Sequence, residues 1–203
     1  MDFSIAGILA LDGLTSGAVY ALLALATVLL FAVTRVIFIP QGEFVAYGAL
    51  TLAMLQAGKL PATLWMIAAL GAAIVVIDGA IAIRHGAARR LPRIVLSNLG
   101  VPLALLLIVP NINAAGLPLI AQIALTLAVV VPLGPMIYRL AYQPIAEAPV
   151  LILLIVSVAV HVVLIGLGLL FFGAEGTRTP AFTDGTLDLG VTTLQYQTLW
   201  ILA

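Results

Sequence analysis

Long apolar runs, broken by short polar punctuation, set the first expectation for this chain. They cover roughly residues 14 to 33, 44 to 57, 62 to 83, 95 to 110, 117 to 138 and 150 to 172, and a further run starts near residue 196. A bilayer core roughly 30 Å thick takes about 20 mostly apolar residues per helical crossing. Backbone amides find no water in hydrocarbon, and alternation with a period of two is absent, so the runs predict helices and not a barrel. The expected fold is all-α, a polytopic transmembrane helical bundle with six to seven spans.

One span breaks the pattern. Residues 44 to 57 make only about 21 Å of helix at roughly 1.5 Å per residue. They cross only if part of the preceding "RVIFIPQGE" also lies in the membrane. That segment is therefore either a broken helix within 35 to 57 or a re-entrant one. Proline removes a backbone donor and glycine permits unusual dihedrals, so Pro40-Gln41-Gly42-Glu43 reads as irregular backbone lining a wet or protein-filled cavity. The competing reading is a simple turn with Glu43 as a solvated charge at a helix start.

Composition agrees with the pattern. The 203 residues are 64% hydrophobic and 8% charged, against roughly 25% charged in a soluble domain. Mean hydropathy is +1.29. Net charge is zero and cysteine is absent, which removes a basic nucleic-acid surface, disulfides and thiolate chemistry. No metal site or cofactor is expected. Asp2 stands where a secretory signal carries a basic residue, so the first helix is read as retained.

Arg84, Arg89, Arg90 and Arg93 cluster after the third span, which makes the 84–93 loop cytoplasmic by the positive-inside tendency. Counting crossings puts Arg35 and Arg139 on that side, and Lys59 and Arg178 outside. The polar 173–195 loop, with Glu175, Asp184 and Asp188, is then periplasmic. The closing "LQYQTLWILA" predicts a helix that continues past Ala203, so residues 1–203 read as a single transmembrane domain truncated at its C-terminus.

Three further features carry candidate chemistry. Gly13, Gly17 and Ala21 recur every four residues, a small-residue stripe suited to close helix packing, with Ser16 and Tyr20 offering a pathway face instead. His161 lies mid-span with Ser157 at i−4. It is either a proton relay or substrate contact, or a packing histidine bonded to Ser157 or a neighbouring helix. Asp78, about a turn and a half from the basic loop, reaches toward the interface. No phosphate loop, zincin motif or nucleophile elbow is present, so the chain is not expected to be an enzyme.

Two stretches resemble the inner-membrane permeases of branched-chain amino acid ABC transporters. In "LDGLTSGAVYALLALATVLLFAVTRVIFIPQGEFVAYGAL" the residues Arg35, Val36, Gly42, Glu43, Phe44, Gly48 and Ala49 match the family's opening, while Phe38, Ile39, Pro40 and Gln41 depart from it. "YRLAYQPIAEAPVLILLIVSVAVHVVLIGLGLLFFG" resembles a later segment and its glycine-containing helix, with Gln143 and Glu147 at positions where arginines are common. Residues 84 to 116 look like additional material, a basic loop plus one short span. The resemblance implies a multi-pass permease of the bacterial inner membrane importing branched-chain or related small amino acids. Its partners would be a second permease subunit, two cytoplasmic ATP-binding subunits and a periplasmic substrate-binding protein. Tyr20, Gln41, Gly42, Glu43 and His161 are the candidate pathway residues. Two rival expectations are an ion-gradient-driven transporter, with Glu43 or His161 as proton carrier, and a non-transporting membrane scaffold.

Overall fold

The computed structural model describes residues 3–174, 176, 177, 179, 183, 185–188 and 193–202. Glu175, Arg178 and Asp184 of the predicted outer loop lie outside the described residues. The chain forms two compact units, one of residues 1–38 with 180–203 and one of residues 39–179.

The first unit is built on α1, Phe3–Thr34. Its polar side chains satisfy themselves: the hydroxyls of Thr15, Thr27 and Thr34 donate back to the carbonyls of Leu11, Leu23 and Leu30, which suits a helix with no water to turn to. The helix stops where Arg35 takes a left-handed φ of 57° and Val36 N–H turns to Thr34 Oγ1 at 3.2 Å. A short antiparallel hairpin, β1 Thr186–Asp188 with β2 Thr193–Gln195, leads into α8, Tyr196–Leu202, which packs on α1. Trp200 Nε1 donates to Thr183 Oγ1 at 3.0 Å.

The second unit is a helical bundle punctuated by proline. Pro40, Pro61, Pro118 and Pro149 immediately precede α2 (Gln41–Gln56), α3 (Ala62–Arg84), α5 (Leu119–Val130) and α7 (Val150–Phe172), positions where a missing N–H costs nothing. The C-termini of α2 and α3 close alike. Gly58 (φ 67°) and Gly86 (φ 69°) take the left-handed cap, with Lys59 N–H on Met54 O at 2.8 Å and Ala87 N–H on Ala82 O at 2.8 Å. This cap satisfies the last carbonyls of each helix. Between α3 and α5 runs α4, Leu91–Ile108, with Pro102 inside it. After α5 come α6 (Leu133–Ile137), a π-helical turn at Tyr138–Tyr142 and a 3₁₀ turn at Gln143–Ile145.

The core lies around α3, whose Leu64, Met66, Ile67 and Ile74 are fully buried along with Leu55 of α2, Val129 and Leu133. Close approach of α3 to α4 depends on Gly71, where a Cβ would meet the Asn98 carbonyl oxygen at 2.6 Å. Across α2 and α3 the buried hydroxyls of Thr51 and Thr63 lie 2.7 Å apart.

Five helical segments have the length and composition to cross a membrane: Ile5–Thr34, Ala62–Arg84, Ala88–Asn111, Leu119–Ile145 and Val150–Phe172. The chain thus has the helix lengths and composition of a multi-pass membrane protein, all-α apart from the small hairpin. The sixth expected span is α2, and its 16 residues make only about 24 Å of helix. The seventh expected run is met by the short helix α8, seven residues long. The span expected to be short in the 84–116 region is instead full length, because a turn of helix at Ala88–Arg90 and another at Val109–Asn111 extend α4 at both ends.

Candidate functional site

The site forms where α2 begins beside the middle of α7. Along α7, Ser157, His161, Leu164 and Gly168 fall at i, i+4, i+7 and i+11, one face of a helix. They meet Ile39, Glu43 and Tyr47 in turn. Ile39 N–H donates to Ser157 Oγ at 2.9 Å. His161 Nδ1 lies 2.8 Å from Glu43 Oε1. The Tyr47 hydroxyl donates to the Leu164 carbonyl, and its ring stands over Gly168 at van der Waals distance, 3.5 Å from where a Cβ would be. One turn further the Tyr47 and Phe172 rings stack with centroids 6.0 Å apart.

This order of contacts fixes the direction and depth of α2. It starts beside the middle of α7 and runs in the same direction, with Tyr47 opposite Leu164, Gly168 and Phe172. His161 is the midpoint of α7, so the first turn of α2 sits at the middle of a membrane-length helix. The "IPQGE" segment therefore lies beside the middle of α7. A helix N-terminus carries the positive end of the backbone dipole, and Glu43 in the first turn is the charge it favours. No side chain caps α2. The Glu43 side chain is 15% exposed, so Glu43 is not the solvated charge of a surface turn.

Within this pair Glu43 Oε2 is buried and has no hydrogen-bond partner among the described residues. The Glu43–His161 contact is a close approach rather than an aligned hydrogen bond. The buried Glu43 Oε2 remains open to another donor. Tyr142, from the π-helical turn, lies beside Ser157, so that turn also supports the break. Such turns are frequent near functional sites. Gly42 is exposed, with nothing within 4 Å of a Cβ position, and opens the break to its surroundings.

Of the sequence candidates, Gln41, Gly42, Glu43 and His161 are brought to one place. His161 turns to Glu43, and the Ser157 hydroxyl receives the break's backbone instead of the imidazole. Tyr20 belongs to the other unit, on α1, with 72% of its surface exposed. Gly13 and Gly17 have nothing within 4 Å of a Cβ position, and Ala21 is exposed on the same helix. Sequence reasoning missed Tyr47 and Tyr142. Tyr47 follows Glu43 by one helical turn, a spacing that marks it as a same-face neighbour. A second polar pair was also missed: Arg139 Nε and Nη2 both lie 2.7 Å from Asp78 Oδ2, joining α3 to the π-helical turn. Among the described residues no cluster of His, Asp and Glu could hold a metal ion.

Comparisons with protein-family models, with curated proteins and with solved structures find no match to this chain. The likeness to amino acid permeases therefore rests on the residues quoted for it.

Proposed function

We propose that this chain is the membrane-spanning permease subunit of an importer for branched-chain or related small amino acids, driven by ATP hydrolysis on partner subunits. The observation that carries the reading is the Glu43–His161 pair at the midpoint of α7, set at the start of the short helix α2. Ionisable groups at that depth are costly and mark polar pathways. Broken helices with their N-termini at the midplane are a recurring way to meet a polar substrate. An α-amino acid carries one cation and one anion. Its ammonium fits the open Oε2 of Glu43, and its carboxylate fits an imidazolium and the positive end of α2. The matched residues Gly42, Glu43 and Phe44 fall within this break. The reading brings with it a second permease subunit, two cytoplasmic ATP-binding subunits and a periplasmic substrate-binding protein, in a bacterial inner membrane.

The 2.8 Å Glu43–His161 contact favours one second reading, a proton-coupled transporter in which the pair exchanges a proton as substrate enters. Uptake of radiolabelled leucine, isoleucine and valine by cells expressing the native gene product separates the two. ATP-driven import persists when a protonophore collapses the gradient with ATP held constant, and stops when the partner ATPase is deleted. The reverse pattern selects the proton-coupled reading. Unchanged uptake on deletion of the gene itself overturns both.

A further inference from the structure

The basic end of the second unit holds three adjoining cavities that share Arg139. One, of about 370 Å³, is lined by Arg90, Arg93, Ile94, Ser97 and Arg139. A second, of about 420 Å³, adds Asp78 and His85. The third, of about 460 Å³, continues from Ser97 and Arg139 along Val101, Pro102, Pro132, Pro135 and Met136. The charged cavities thus adjoin a largely apolar groove between α4 and the α6 region, with Asn98, Tyr138 and Gln143 also in its lining. Pro132 and Pro135 wall one side of this groove, with Pro102 buried beneath it.

The charges are unbalanced. Asp78 takes Nε and Nη2 of Arg139 on a single oxygen, leaving other guanidinium N–H groups to donate elsewhere. Arg90 and Arg93 have no acidic partner among the described residues. Asp78 lies six residues before the end of α3, about 9 Å by helix rise. Arg139 shares its cavities with Arg90 and Arg93. A phosphate framed by arginines beside a largely apolar groove matches the two ends of one molecule.

We propose that this groove binds an anionic phospholipid, its phosphodiester held by Arg90, Arg93 and Arg139 and one acyl chain laid along Val101, Pro132 and Pro135. Free phosphate answers the arginines but not the groove. Basic pockets between membrane helices are a recognised setting for such headgroups. The site is independent of the transport reading.

Native mass spectrometry of the full chain in detergent, titrated with phosphatidylglycerol, phosphatidylcholine or inorganic phosphate, tests the proposal. Phosphatidylglycerol is expected to bind saturably with one-to-one stoichiometry and to outcompete phosphatidylcholine. Arg90→Gln with Arg93→Gln is expected to weaken it on the order of 10- to 30-fold, the effect of two basic residues at a membrane surface. Arg84→Gln with Arg89→Gln removes the same charge from the same loop outside the cavities and is expected to leave binding within about two-fold. Val101→Trp, which fills the groove, weakens the phospholipid without affecting any phosphate binding. Equal loss in the two arginine pairs would overturn the proposal in favour of diffuse surface charge. Equal binding of both lipids, or phosphate binding as tightly as the lipid, would overturn it as well. Circular dichroism melts confirm that each variant is folded.

Discussion

Thr51 and Thr63, both fully buried, hold the far half of α2 against α3 through a single 2.7 Å hydroxyl pair. Thr51 also donates to the Tyr47 carbonyl at 2.6 Å, so the two roles compete for one proton and Thr63 supplies the other. Thr51→Val strands the Thr63 hydroxyl and is expected to cost about 0.6 to 2 kcal/mol, read as a lowered melting temperature in detergent. Thr51→Val with Thr63→Val removes both partners and is expected to cost less than the sum of the single changes. At this scale the sequence was informative wherever chemistry is rare. Glu43 and His161 stood out because ionisable residues in apolar runs are few. That they meet each other, rather than His161 meeting Ser157, was illegible, because it depends on where α2 starts along α7. Asp78 was likewise read as reaching for the interface when its partner is Arg139, distant in the chain.

The short α2 carries the Glu43 side of the site. Its length was legible in the hydrophobic run, and its start in Pro40 and Gly42. The structure also ends α2 and α3 at Gly58 and Gly86, whose left-handed backbone closes those caps. Since the chain contains no cysteine, single cysteines report on water access against a clean background. Gly42→Cys is expected to react with a small water-soluble thiol reagent, and Val158→Cys on the exposed face of α7 is expected to stay unlabelled. Protection of both would mean that the break is dry. Between α3 and α4 the tight contact lies at Gly71, not at the regular glycine stripe of α1. A stripe is visible in sequence, whereas a single glycine facing a backbone carbonyl is visible only in three dimensions. Gly71→Ala sets a Cβ 2.6 Å from the Asn98 carbonyl oxygen and is expected to destabilise the chain by roughly 1–3 kcal/mol, measured by thermal unfolding.

For the whole molecule, five membrane-length segments fall close to the predicted runs, because length and apolarity are local properties that survive any packing arrangement. The arrangement itself was not legible: nearly uniform apolar helices carry no face that points to a particular neighbour. Topology is checked by reporter fusions. A fusion after Gly86 is expected on the cytoplasmic side and one after Gly58 on the opposite side, because α3 alone separates them. Reporters on the same side would show that α3 does not cross.

The central claim is that the break at Gln41, Gly42 and Glu43, paired with His161, lines a path for a small zwitterionic solute. Uptake of radiolabelled leucine, isoleucine and valine by the native gene product with its partner subunits tests it most directly. Glu43→Gln removes the charge while keeping the shape, and Gly42→Leu places a side chain into space that is open in the structure. Both are expected to cut uptake about tenfold or more at unchanged abundance in the membrane, the scale of one lost charge-assisted contact. Wild-type uptake in both variants would contradict the account.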